Sequence, residues 1–236
     1  MEGDQKTVRL LKVYSLVSTL AVVAMAGYVA YSTQNVAGFE EISVQRINVV
    51  EADGTRKLVI SNAERLPEPV IAGETLERGF RFPGIIVYNE AGDEVGGWGF
   101  SGREVNGEVQ AFNSLTFDQY QQDQTLQLVY SDESGYRLVG LRIKDRPDIV
   151  AGEHKRRLDA VLAMPEGPER DRLLDPLLAP DRLFVGKSGE KSGTWVFDGK
   201  GRARIKLFVD GEGSPKLEFL DENGNVIERL PREPTN

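Results

Sequence analysis

The sequence predicts a mainly β protein: a series of antiparallel hairpins, sandwich- or barrel-like, with a helical insertion and one N-terminal transmembrane helix. Three observations predict it. Residues 13–31 form a 19-residue run without charge. A turn signature of Asp or Asn, two residues, then Gly recurs along the chain, and apolar and charged residues alternate with period two between those turns.

A helix rising about 1.5 Å per residue needs roughly 20 residues to cross the hydrocarbon core, which residues 13–31 supply. Lys6, Arg9 and Lys12 precede the run, and the next basic residue is Arg46. The positive-inside bias therefore places residues 1–12 in the cytoplasm and the rest of the chain outside it. Tyr14 at one end, with Tyr28 and Tyr31 at the other, suit the two headgroup levels. The lipid bilayer is the partner this segment implies. A cleaved signal peptide shares the basic start and offers Ala24-Met25-Ala26 as a small-residue cleavage site, so processing near Ala26 would release a secreted domain. The anchor is preferred because the apolar run continues through Gly27 to Tyr31. Both alternatives export the domain, whereas a buried core helix fits poorly behind three cations at the extreme N-terminus.

Residues 32–38 read as a polar spacer, and the β pattern begins at Phe39. Two β-prone runs flank Ala52-Asp53-Gly54, a strong hairpin signal. Similar runs meet at Asn89-Glu90-Ala91-Gly92, Asp132-Glu133-Ser134-Gly135, Asp198-Gly199-Lys200-Gly201 and Asp221-Glu222-Asn223-Gly224. A short polar side chain bonds the backbone at the start of such a turn, and glycine supplies the positive φ that closes it. The glycine spacing is irregular, so no propeller-type repeat is indicated. Ile205, Leu207 and Val209 oppose Arg204 and Lys206 in strand alternation, as Leu217 and Phe219 oppose Lys216 and Glu218.

Residues 149–182 break the pattern. Leu158, Val161 and Leu162 fall at helical spacing, and Gly167-Pro168-Glu169 has the proline and acid of a second helix start. This insertion separates β-rich residues 39–148 from hairpins in residues 183–232, leaving open two small domains or two halves of one sheet.

Composition excludes several functions. The chain carries a net charge of −8, and residues 36–236 hold 26 basic against 35 acidic groups, a poor match to phosphate backbones, so no nucleic acid is expected. With no cysteine, disulfides, thiolate zinc sites and cysteine nucleophiles are ruled out, and His154 is the single histidine. His154 sits among Glu153, Lys155, Arg156 and Arg157, which suggests a solvated helix face rather than a catalytic base. Gly97-Trp98-Gly99-Phe100-Ser101-Gly102 matches a dinucleotide fingerprint by letter, but Asn106-Gly107 follows where a helix should open; strand glycines packed around an aromatic pair fit better. Gly186-Lys187-Ser188 lacks the first glycine of a phosphate loop. Asp221 opens a calcium-like loop whose twelfth position is Arg232, leaving only an irregular site from Asp210, Glu212 and Asp221. No cofactor and no metal are expected, and no catalytic residues can be assigned.

The candidate binding segment is residues 117–124. Asp118, Gln119, Tyr120, Gln121 and Asp123 combine acids, amides and a phenol, the set that hydrogen-bonds sugars or peptide backbone. The alternative is a polar crossover loop.

Arg46-Ile47-Asn48-Val49-Val50-Glu51 with Asp53-Gly54, residues 117–124, Gly201-Arg202-Ala203-Arg204-Ile205 and Phe219-Leu220-Asp221-Glu222-Asn223-Gly224 resemble segments of a group of uncharacterised bacterial proteins with an N-terminal hydrophobic segment. The resemblance implies a bacterial source and assigns no activity. The resulting expectation is a single-pass, membrane-tethered binding or structural protein of the bacterial envelope, more a binder than an enzyme, engaging an envelope protein or a glycan. The alternative is a hydrolase that attacks envelope polysaccharide through paired carboxylates.

Overall fold

The computed structural model describes residues 2–34 and 38–232, with side chains from residue 5 to 31 in the first stretch. The chain divides into two compact units, Met1–Ser43 and Val44–Asn236.

In the first unit a single helix, α1, spans Glu2–Gln34, longer at both ends than the uncharged run. Within it Gln5–Tyr31 is long and apolar enough to cross a membrane, and its apolar side chains are exposed: Leu10 is 73% accessible. The expected spacer is corrected at its start, because Ser32 continues the helix to Gln34; residues 35–37 lie outside the described residues.

The second unit is mainly β. Its large sheet contains twelve strands: β1 (Arg46–Val50), β2 (Arg56–Ser61), β5 (Gly84–Tyr88), β6 (Glu94–Val105), β7 (Glu108–Asp118), β8 (Gln124–Glu133), β9 (Tyr136–Lys144), β10 (Asp181–Ser188), β11 (Lys191–Phe197), β12 (Ala203–Val209), β13 (Pro215–Leu220) and β14 (Val226–Leu230). Two short strands, β3 (Val70–Ile71) and β4 (Glu74–Thr75), form a separate ribbon between β2 and β5. Every strand of the large sheet pairs antiparallel with its neighbour in sequence, leaving β1 and β14 as outer strands. The insertion, α2 (Ala151–Leu162), α3 (Pro168–Leu174) and a 3-10 turn (Asp175–Leu177), lies between β9 and β10, which still pair from Lys144–Asp181 to Leu138–Ser188. The two β-rich stretches are therefore halves of one sheet.

The hairpins follow from the turns. Asn89, Asp198 and Asp221 each donate a backbone N–H to the carbonyl four residues on and accept from the N–H three residues on, and Asp210 to Ser214 repeats this pattern. Their carboxylates or amide oxygens cap turn N–H groups as well, Asp221 Oδ1 accepting from Asn223 and Asn225 at 2.9 and 2.8 Å. Asp210 and Asp221 are thus committed to turns, and among the described residues no three His, Cys, Asp or Glu side chains form a metal cluster. Asp132 departs from the expected pattern. It is a strand residue whose carboxylate caps Gly135 at 2.8 Å, the turn itself being the two residues Ser134 and Gly135.

The dinucleotide-like glycines lie inside β6 and Gly186-Lys187-Ser188 inside β10. Trp98 and Phe100 do form the aromatic pair, with ring centroids 5.7 Å apart.

The register gives the sheet two unlike faces. On one, cross-strand rows are apolar: Ile47, Ile60, Ile85, Trp98, Leu115 and Leu128 continue through Leu141, Val185, Thr194, Leu207 and Leu217 to Leu230. The other face carries the core. Val59, Ile86 and Tyr88 are buried there beneath Leu66 of the β2–β5 connection, with Phe82 packed alongside. The insertion lies on this side too: Arg156 of α2 pairs with Glu74 of β4 at 2.6 Å.

Candidate functional site

On the covered face a cleft of about 590 Å³ opens between β6–β8, residues 69–82 and α2. Period-two alternation builds its floor: Phe112, Ser114, Thr116 and Asp118 of β7 share this face, while Asn113, Leu115 and Phe117 point to the other. The floor therefore passes from apolar to acidic along one strand.

At the apolar end Phe80, Phe82 and Phe112 form a triangle with centroid separations of 5.3, 5.5 and 5.6 Å, two of the contacts edge-on. Arg78 lies 5.6 Å from the Phe82 ring centre. Midway, Gln127 donates to Ser114 Oγ at 2.8 Å, and Thr116 Oγ1 bonds the backbone of Gly97.

At the acidic end, Glu94 opens β6 and Asp118 closes β7, and the Gly96–Phe117 pairing brings them to the same end of the sheet. Arg78 donates to Glu94 at 2.6 Å, the pair being 12% and 11% exposed. Arg146 pairs with Asp123 at 2.9 Å. Asp118 Oδ1 is buried and finds no hydrogen-bond partner among the described residues. Burial pushes the Asp118 carboxyl up to about 8; the like charges of Asp123 and Glu94 add to this, and Arg146 and Arg78 oppose it. Burial also raises Glu94, against the pull of Arg78. Asp118 is therefore largely protonated at neutral pH and able to donate a hydrogen bond.

The candidate binding segment is split by this geometry. Asp118 and Asp123 line the cleft, as do Gln122 and Gln124. Gln119, Tyr120 and Gln121 make the turn beyond its rim: Gln119 donates to the Asp123 carbonyl, Gln121 accepts from Ala151 N–H, and Tyr120 is 71% exposed. Gln122, 1% exposed, is structural, donating to the Ile149 carbonyl at 2.6 Å.

His154 corrects the expected solvated face. It is 7% exposed, and its Nε2 bonds the Leu177 carbonyl at 2.8 Å. Ala151, His154, Leu158 and Val161 form the inward stripe of α2, whereas Lys155, Arg156 and Arg157 are exposed.

Glu94, Arg78, Arg146 and the three phenylalanines escaped sequence reasoning. The phenylalanines and arginines come from separate segments with no local motif. The Ser114–Thr116–Asp118 alternation was a usable signal for the floor. Comparison with family models, curated proteins and solved structures finds no match for the chain.

Proposed function

We propose that this chain is a membrane-tethered binding protein of a bacterial envelope, with the N-terminus cytoplasmic, the sheet domain outside, and a glycan segment held in the cleft. The observation that carries the binding assignment is the buried, unpartnered Asp118 oxygen at the end of a floor that runs from an aromatic wall through a row of hydroxyl and amide groups. Sugars present both an apolar ring face and hydroxyls that donate and accept, and this cleft offers a partner for each. The tether rests on α1, which continues unbroken through Ala24–Met25–Ala26, and on the three cations that precede its apolar run.

Polysaccharide hydrolysis is the second reading, favoured by a protonated Asp118 beside two further acids. Binding is preferred because both acids that would serve as base or nucleophile, Glu94 and Asp123, are held by guanidinium groups.

Titration calorimetry of the full chain in nanodiscs with soluble cell-wall saccharide fragments tests the binding function. Saturable heat that disappears in Asp118→Ala and Phe112→Ala supports it. Absence of heat with every fragment refutes it, and new reducing ends that depend on Asp118 establish the hydrolase. Carbonate extraction with protease access to a C-terminal tag tests the topology; a released, shortened protein means cleavage near Ala26, and a tag protected after permeabilisation places the domain in the cytoplasm.

A further inference from the structure

We infer that the apolar face of the sheet is a dimer interface, closed by the same face of a second copy of this chain. This goes beyond the cleft, which lies on the opposite face and stays open in such a dimer.

Three adjacent cross-strand rows make the patch. The middle row is apolar on eleven of the twelve strands, Thr194 being the exception. Across the three rows only Lys187 and Glu228 are charged. The side chains stand open: Phe117 is 51%, Leu128 47% and Leu207 53% exposed. Trp98 and Asn113 bond each other on this face, Nε1 donating to Oδ1 at 2.6 Å, so neither the indole N–H nor that amide oxygen requires water there.

Size separates this face from ordinary surface. Strands about 4.8 Å apart, and three rows along each, give a patch on the order of 800 Å². A typical monomer's largest apolar patch is about 300–600 Å², whereas one side of a standard interface buries about 800 Å².

Charge selects the occupant. Residues 44–236 hold 26 basic and 33 acidic groups, a balance that anionic lipid headgroups repel, so the face is not suited to lying on a membrane. A second copy meets these almost uncharged rows with identical rows. Sheet-on-sheet packing at about 10 Å is a standard solution for two such faces, and a two-fold axis makes the contact self-complementary. A tether to one membrane would also hold copies at high effective concentration. The axis giving greatest overlap passes the middle of the twelve strands, between β8 and β9, where Leu128 faces Leu141.

The chain has no cysteine, so single cysteines report the contact directly. The full chain in native membranes carries Leu128→Cys or Leu141→Cys, with Lys191→Cys on the opposite face as control, and is treated with a short bis-maleimide matched to sheets about 10 Å apart. The expected result is a dimer-sized adduct from the first two, none from the control, and loss of the adduct when Leu207→Asp is added. Absence of a dimer from Leu128→Cys and Leu141→Cys overturns the inference, whether the thiols label freely or are protected by lipid. An adduct to a different protein, or equal dimer from Lys191→Cys, overturns it as well. The cysteine substitutions are small, and a membrane level and protease resistance equal to the parent's in each variant show that its fold persists.

Discussion

The ring of Phe82 lies directly on Gly99: a Cβ at residue 99 would overlap the ring carbons. The absence of a side chain in β6 thereby sets the position of one wall of the cleft. Gly99→Ala must displace Phe82 from Phe80 and Phe112. Overpacking of this kind costs about 1–3 kcal/mol. Urea unfolding should show that loss, and saccharide binding should weaken with it, while Gly107→Ala, in a turn remote from the cleft, leaves binding unchanged.

Asp118 gives the domain a pH-dependent stability with a definite sign. Its carboxyl is raised from 3.8 to about 8, so between those values the folded state holds a proton that the unfolded state has released. Stability contributed by that proton is full below about pH 4 and declines as pH rises toward 8. Asp118→Asn, which stays neutral, should be progressively more stable than the parent as pH increases, by a few kcal/mol at pH 8. Thermal melts from pH 5 to 9 measure the divergence. Parallel curves would show that Asp118 is ionised in the fold.

Arg78 and Glu94 form the least exposed ion pair of the cleft. Arg78→Ala leaves a buried carboxylate without its cation and should destabilise by about 3–5 kcal/mol. Arg78→Met combined with Glu94→Gln should recover most of this, because neither replacement strands a charge. Denaturant midpoints of the two variants decide it; an equal loss in both would assign the effect to packing alone.

Gln122 ties the β7–β8 turn to the segment that leads into α2. Its amide donates to the carbonyls of Pro147 and Ile149, and its oxygen accepts from Asp123 N–H. Gln122→Ala orphans those groups and should cost about 1–3 kcal/mol. Hydrogen exchange should rise first at the start of α2, where Ala151 N–H bonds Gln121.

The hairpins were legible because their turns are written in residues with local reasons to turn, Asn89 and Gly92 or Asp221 and Gly224. Pairing of Lys144 with Asp181 was not, since it spans the insertion and depends on both strands seeking the same sheet edge. Half of the candidate segment reached the cleft. Asp118 and Asp123 flank a turn whose length alone puts Gln119, Tyr120 and Gln121 beyond the rim. His154 was misread from its charged sequence neighbours, although its spacing from Ala151, Leu158 and Val161 already placed it on the inward stripe. Arg78 and Phe82 could not be placed at all, because the β2–β5 connection has no periodicity from which to predict where its side chains land.

Strict neighbour-to-neighbour pairing also bears on how the chain is made. Each strand of the large sheet after β1 finds its first partner among residues already synthesised, so no strand has to be inserted between two that are already paired. Closure distances stay short except at the β2–β5 connection and the insertion, which favours hairpin-by-hairpin growth from the N-terminal edge. At every stage before β14 is added, the newest strand is a fresh, unpaired edge. A ribosome that pauses within the insertion would therefore hold β9 exposed for as long as β10 is missing, making that interval the vulnerable moment in the protein's assembly.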